Sequence, residues 1–170
     1  MISTDYCQLL ARYNRWMNER LYATVGAFDE AERTRDRGAF FGSMHATLNH
    51  LLWADRVWLG RFIGEPCPVK AFGTDMYSVF AELAREREAT DTRILSWAGA
   101  LTGNWLASTL EYRAASDGRL RRMPAWVAAT HLFQHGTHHR GQLTTLIKQA
   151  GRDPGVTDLP YLPGVVQMVD

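Results

Sequence analysis

A chain of 170 residues, 46% hydrophobic and 22% charged, is long enough for one globular domain with a sizeable core. Nineteen basic and eighteen acidic side chains leave a formal charge of +1, which argues against an electrostatic nucleic-acid binder. Two cysteines in unrelated contexts, Cys7 and Cys67, supply neither a disulfide framework nor a cysteine zinc motif, and no apolar run approaches the roughly 18 residues of a membrane span.

The expectation is a single cytoplasmic domain over residues 1–170, with no signal segment, no membrane partner and no nucleic acid. Its first segment reads as an amphipathic helix behind Ser3 as N-cap, with Ile2, Tyr6, Leu9, Tyr13, Trp16, Met17, Leu21 and Phe28 at three- and four-residue steps. A charged connector, Asp29 to Arg37, follows. The second helix starts near Gly42 or Ser43 and ends at Gly64, ahead of Pro66 and Pro68. Its apolar face holds Ala46, His50, Trp53, Ala54, Val57 and Trp58. Thr74 caps a third helix with a bundle-type seam of Met76, Phe80, Leu83, Arg87, Thr90, Ile94, Trp97 and Leu101. Ser108 to Tyr112 and Arg119 to Arg122 flank an Ala-Ser-Asp-Gly turn and suggest a small β-hairpin. Pro124 suits the first turn of a fourth helix that runs to about Ala150 and stops at Gly151. The remaining tail, rich in proline and glycine, reads as an irregular strap or a partner-docking segment. Four long amphipathic segments make an all-α four-helix bundle the expected fold, with one hairpin between the third and fourth helices.

Four of the six histidines fall between His131 and His139. With His135 at zero on a helical wheel, His131 lies at about −40°, His139 at about +40° and His138 at about −60°. The cluster borders the apolar face. Two imidazoles one turn apart can converge on one metal ion, but Gly136 stands where a zincin has its glutamate, so a zinc peptidase is a poor reading. Spacing leaves the pairs 131/135, 135/138 and 135/139 open. On the second helix His50 is the candidate partner, because Ala46 and Ala54 one turn either side leave room beside its ring. His45 falls about 140° away and reads as surface.

The stretch Thr47-Leu-Asn-His-Leu-Leu-Trp-Ala-Asp-Arg-Val-Trp-Leu-Gly-Arg, followed by His131-Leu-Phe-Gln-His-Gly-Thr-His-His-Arg-Gly-Gln-Leu, resembles the DinB/YfiT-like superfamily of metalloenzymes. Tyr13-Asn-Arg-Trp-Met-Asn-Glu-Arg-Leu and Thr157-Asp-Leu-Pro-Tyr-Leu are also similar to members of the DinB family. The resemblance implies a four-helix bundle holding a divalent ion on His50, His135 and His139, with His131 and His138 as neighbours. It also implies a choice of chemistries. Some members of the superfamily are thiol-dependent S-transferases or isomerases that use a low-molecular-weight bacterial thiol, and others resemble metal-dependent hydrolases. Dimers are common among similar proteins, so a homodimer is expected.

Three imidazoles with no anionic ligand leave positions open for water or a small-molecule substrate, the mark of a catalytic site. Zinc and nickel suit imidazole best, and iron or manganese are compatible. A metal-bound thiolate attacking an electrophile is the leading reaction type; a non-enzymatic, damage-inducible metal-binding protein and a purely structural dimeric bundle are the alternatives. Two further residues are singled out. Gln142, at about −20° on the wheel, points with the histidines and can orient a ligand imidazole. Arg87 interrupts an apolar seam and is expected either to enter the metal cavity, where it binds an anion or Asp91 one turn on, or to snorkel to solvent. Arg140 is assigned to helix packing or surface pairing.

Overall fold

The computed structural model describes residues 2–65, 75–115 and 117–167. Its elements are α1 (Thr4–Gly26), α2 (Glu30–Thr34), α3 (Met44–Ile63), α4 (Phe80–Ala100), α5 (Gly103–Ala107), β1 (Thr109–Arg113), β2 (Leu120–Pro124), α6 (Ala125–Gln149) and a 3-10 turn (Leu159–Tyr161). Cys67, Pro66, Pro68 and Thr74 lie outside the described residues. The four long helices form the expected bundle: α1 and α3 each pack against both α4 and α6 and therefore sit diagonally opposite.

Local chemistry sets the helix ends. Ser3 Oγ accepts from the Tyr6 N–H at 3.1 Å, and Ser43 Oγ does the same for Ala46 at 3.1 Å. Gly64 closes α3 at φ 70°, a left-handed geometry that a side chain would strain. The charged connector contains the short α2, capped by Asp29. The hairpin forms with Tyr112 opposite Arg121 and Leu110 opposite Met123. Pro124 ends β2 and precedes α6 as its N-cap. The tail straps back over α1, where the Tyr13 hydroxyl donates to the Thr157 carbonyl and Arg152 donates to the Ala27 carbonyl at 2.7 Å.

Two expectations fail for one shared reason. Helix α4 begins at Phe80, leaving Met76 outside it, and His45 is buried rather than on the surface. The N–H groups of Met76 and Tyr77 both donate to Asn49 Oδ1, at 2.9 and 3.0 Å, while the Tyr77 carbonyl meets His45 Nε2 at 2.9 Å and Asn49 Nδ2 at 3.0 Å. Side chains of α3 thus take the backbone groups that a longer helix would have used, and the segment they hold covers His45.

The core has two apolar halves. One gathers Met17, Leu21, Val25, Met44, Leu48, Leu52, Leu83, Leu143 and Ile147; the other gathers Ala11, Leu59, Phe62, Ile94, Trp97, Leu132 and Phe133. Between them lies a buried polar layer to which all four long helices contribute. Arg87 on α4 pairs with Asp55 on α3 at 2.7 Å and with Asp91 one turn on at 2.8 Å. Asn14 and Asn18 on α1 donate to Asp91 at 3.2 and 2.9 Å, and Arg140 on α6 donates to Asn14 Oδ1. Burial raises the Asp91 carboxyl above the usual range despite Arg87 beside it, and burial lowers the Arg140 guanidinium. The layer closes tightly at Gly136, where a Cβ would stand 3.0 Å from Arg140 Nη1 and 3.3 Å from Asn14 Oδ1. Arg140 is therefore a packing residue of the bundle interior, not of its surface. Among the described residues no helix is long and apolar enough to cross a membrane.

Candidate metal centre

Helix α3 delivers His50, and α6 delivers His135 and His139 one turn apart. Their Nε2 atoms converge: His135 lies 3.3 Å from His50 and 3.1 Å from His139, and one nitrogen from each ring falls within 4.8 Å of the others. Nitrogens held 2.0–2.1 Å from a tetrahedral ion are separated by about 3.3 Å, so the observed spacing fits one small divalent cation. Among the described residues this is the group of histidine, cysteine and carboxylate side chains with metal-binding geometry.

The donor set is poised as neutral imidazoles. Burial and the nearby His139 push His50 down to about 4, and burial with the crowding of His139, His50 and the two flanking histidines pushes His135 down to about 3. His139 is lowered by burial as well. Its Nδ1 lies 2.8 Å from Gln142 Oε1, and since an amide oxygen only accepts, Nδ1 carries the proton and Nε2 keeps its lone pair. Gln142 Nε2 in turn reaches His138 Nε2 at 3.2 Å. The His135 Nδ1 atom is buried without a hydrogen-bond partner.

The other residues expected near the site separate cleanly. His131 and His138 are exposed neighbours, with ring centres 5.4 Å from His135 and 4.8 Å from His139 respectively. Arg87 is buried but engages Asp55 and Asp91 in the polar layer, and it is not among the residues that line the cleft beside the histidines. Of the expected roles for Arg87, the contact with Asp91 is what forms; solvent is not its destination. Gln142 makes the contact with a ligand-type imidazole that its wheel position suggests.

Two features had no signal in the sequence pattern. Phe41, in the turn before α3, stacks on His50 with ring centres 4.0 Å apart and meets His139 edge-on at 5.3 Å. It covers one side of the histidine cluster, and Trp53 adds a second stacked ring at 5.9 Å from His50. A cleft of about 310 Å³ opens between α3, α6 and the hairpin, and His50, Trp53 and His135 contribute to its wall. Two of the three imidazoles, His50 and His135, thus line the cleft, while Phe41 packs on His50 and His139.

Fold and site together define a four-helix-bundle protein with a possible three-histidine metal site at the foot of an open cleft. The chain belongs to the DinB family, whose family model matches residues 1–165. It is similar to Protein DinB of Bacillus subtilis (strain 168), with 21% identity over 165 residues that cover 91% of this chain and 92% of that protein. The crystal structure of a DinB-like protein from Bacillus cereus ATCC 10987 shares the fold. That likeness has a TM-score of 0.60 at 20% identity and covers 83% of this chain and 91% of the other.

Proposed function

We propose that His50, His135 and His139 bind one divalent metal ion, zinc or nickel by preference, and that the protein is a metal-dependent enzyme acting on a small molecule. The convergence of three lone-pair nitrogens beside an open cleft carries this reading. A divalent ion held by His50, His135 and His139, three neutral ligands, would supply Lewis acidity that lowers the pKa of a thiol or water. The chain's own residues supply orientation and exclusion. Gln142 fixes the tautomer and rotation of His139, and Phe41 shields the His50 and His139 rings on which it packs. The cleft admits a reactant from the front.

Among reactions of this kind, transfer of a thiol sulfur to an electrophile suits the site best. Among the described residues the metal-binding group contains no carboxylate to serve as general base, and a thiol needs less help to ionise than water does. The test is metal analysis of protein purified without a histidine tag, followed by turnover assays of zinc- and nickel-loaded protein with a panel of bacterial thiols and a generic electrophile. Metal-dependent consumption of the thiol is expected. Stoichiometric metal without turnover of any thiol turns the reading to a hydrolase or a metal-binding protein. Retention of stoichiometric metal by both His50→Ala and His139→Ala overturns the ligand assignment.

A further inference from the structure

The cleft beside the histidines is charged in one sense only. Arg61 and Arg121 belong to its wall, and among the described residues no aspartate or glutamate does. Arg121 already has a partner, Asp117 at 2.9 Å, and is half exposed. Arg61 pairs with no carboxylate among the described residues; its Nη2 donates to the Arg113 carbonyl at 3.2 Å. Arg61 packs on a touching pair of aromatic rings, Trp58 and Tyr112, whose centres are 5.3 Å apart. Its guanidinium carbon stands 4.5 Å from the Trp58 ring centre and 4.4 Å from that of Tyr112. A guanidinium is planar and recognises planar oxyanions by two-point contact through its N–H edge, and packing on aromatic rings limits its motion.

Position matters as much as charge. Trp58 packs edge-on against His131 with ring centres 4.8 Å apart, and His131 is one turn from His135. His50 and Trp58 are eight residues apart on α3, a rise of about 12 Å. A cation is thus mounted at one end of the cleft and the imidazole nitrogens at the other, with apolar and aromatic wall between. Burial also holds the Arg61 guanidinium below its ordinary value, with Arg121 adding to the effect, and a bound anion would relieve both.

We propose that Arg61, packed beside Trp58 and Tyr112, is an anion-binding residue that selects small molecules carrying a carboxylate or phosphate group on the order of 10 Å from the atom presented to the histidines. The selection rests on the reading of this cleft as the substrate face, but the binding does not require a metal ion, which allows the two to be tested apart. A planar or aromatic body lies against Trp58 and Tyr112, and the anion meets the Arg61 edge.

The experiment titrates metal-free protein with benzoate, phenylphosphate and their neutral counterparts benzamide and benzyl alcohol. The readout is the indole N–H resonance of Trp58, assigned with Trp58→Phe. The anions are expected to bind at least about tenfold more tightly than the neutral compounds, and the stronger of the two identifies carboxylate or phosphate as the preferred group. Arg61→Gln is expected to abolish that preference while leaving benzamide binding within about twofold, and Arg61→Lys to restore only part of it. Equal binding of anions and neutral compounds by the wild-type protein overturns the proposal whether or not the variants fold. So does a preference that survives in Arg61→Gln. Failure of the protein to take up metal, with the anion preference retained, sinks the metal-dependent reading and leaves the Arg61 assignment standing.

Discussion

The side-chain oxygen Oε1 of Gln142 lies 2.8 Å from Nδ1 of His139, and this contact decides which nitrogen of the ring faces His50 and His135. An oxygen that can only accept keeps the proton on Nδ1. Removing it frees the ring to rotate and to change tautomer. Gln142→Ala is therefore expected to weaken zinc binding about 10- to 100-fold, measured by competition with a chromogenic chelator, while thermal stability without metal changes little. Gln142→Glu is expected to bind at least as tightly as the wild type.

The polar layer makes a different prediction. Replacing Arg87 by methionine leaves Asp55 and Asp91 buried without their shared cation. The expected loss is about 3–5 kcal/mol in urea-induced unfolding, far beyond what a surface ion pair supplies. The triple variant Asp55→Asn, Arg87→Met, Asp91→Asn is expected to recover much of it, because no uncompensated charge remains.

The metal-free protein is expected to be acid-sensitive in a defined window. Burial and mutual crowding hold His50 near 4 and His135 near 3, whereas an unfolded chain titrates its histidines near 6.5. Above about 6.5 both states are neutral and these groups have no effect. As pH falls through that value the unfolded chain takes up protons that the folded one refuses, so stability declines. The loss by pH 5 is on the order of 1–2 kcal/mol per histidine, and it levels off once the folded-state values are passed. Unfolding midpoints of metal-free protein between pH 7.5 and 4.5 check this, with His135→Asn flattening the slope.

Asn49 offers a local test. Its side chain bonds the backbone of Met76 and Tyr77 through both its oxygen and its nitrogen. Asn49→Ala is expected to cost about 1–3 kcal/mol and to speed amide exchange at Met76 and Tyr77 well before α3 itself opens.

The parts of the fold that the sequence shows are those governed by neighbours along the chain. Ser3, Ser43 and Gly64 bracket α1 and α3 by local hydrogen bonding and backbone geometry, and a wheel suffices to put His50 beside small residues. His45 and the start of α4 escape that logic, because the chain that buries His45 is some thirty residues away and is held there by Asn49. Thr102 caps the short α5 just as locally, yet five residues give too little periodicity to recognise. Among the histidines, spacing is indifferent between three pairs. The family pattern singles out His50, His135 and His139, and the structure brings these three together, because only the approach of α3 to α6 decides which rings meet. Phe41 and Arg61 depend on tertiary neighbours throughout, so neither carries a pattern of its own.

Gly136 follows His135, at the position a metallopeptidase reserves for its glutamate. Here that space belongs to Asn14 and Arg140, whose polar atoms would crowd any Cβ. The histidine pair and the anchor of the polar layer are thus built on adjacent faces of the same turn of α6. A glutamate placed at that position would dislodge Arg140 from Asn14 and loosen α1 from the helix that carries two of the three histidines. The scaffold thereby confines retooling of this centre to its cleft side.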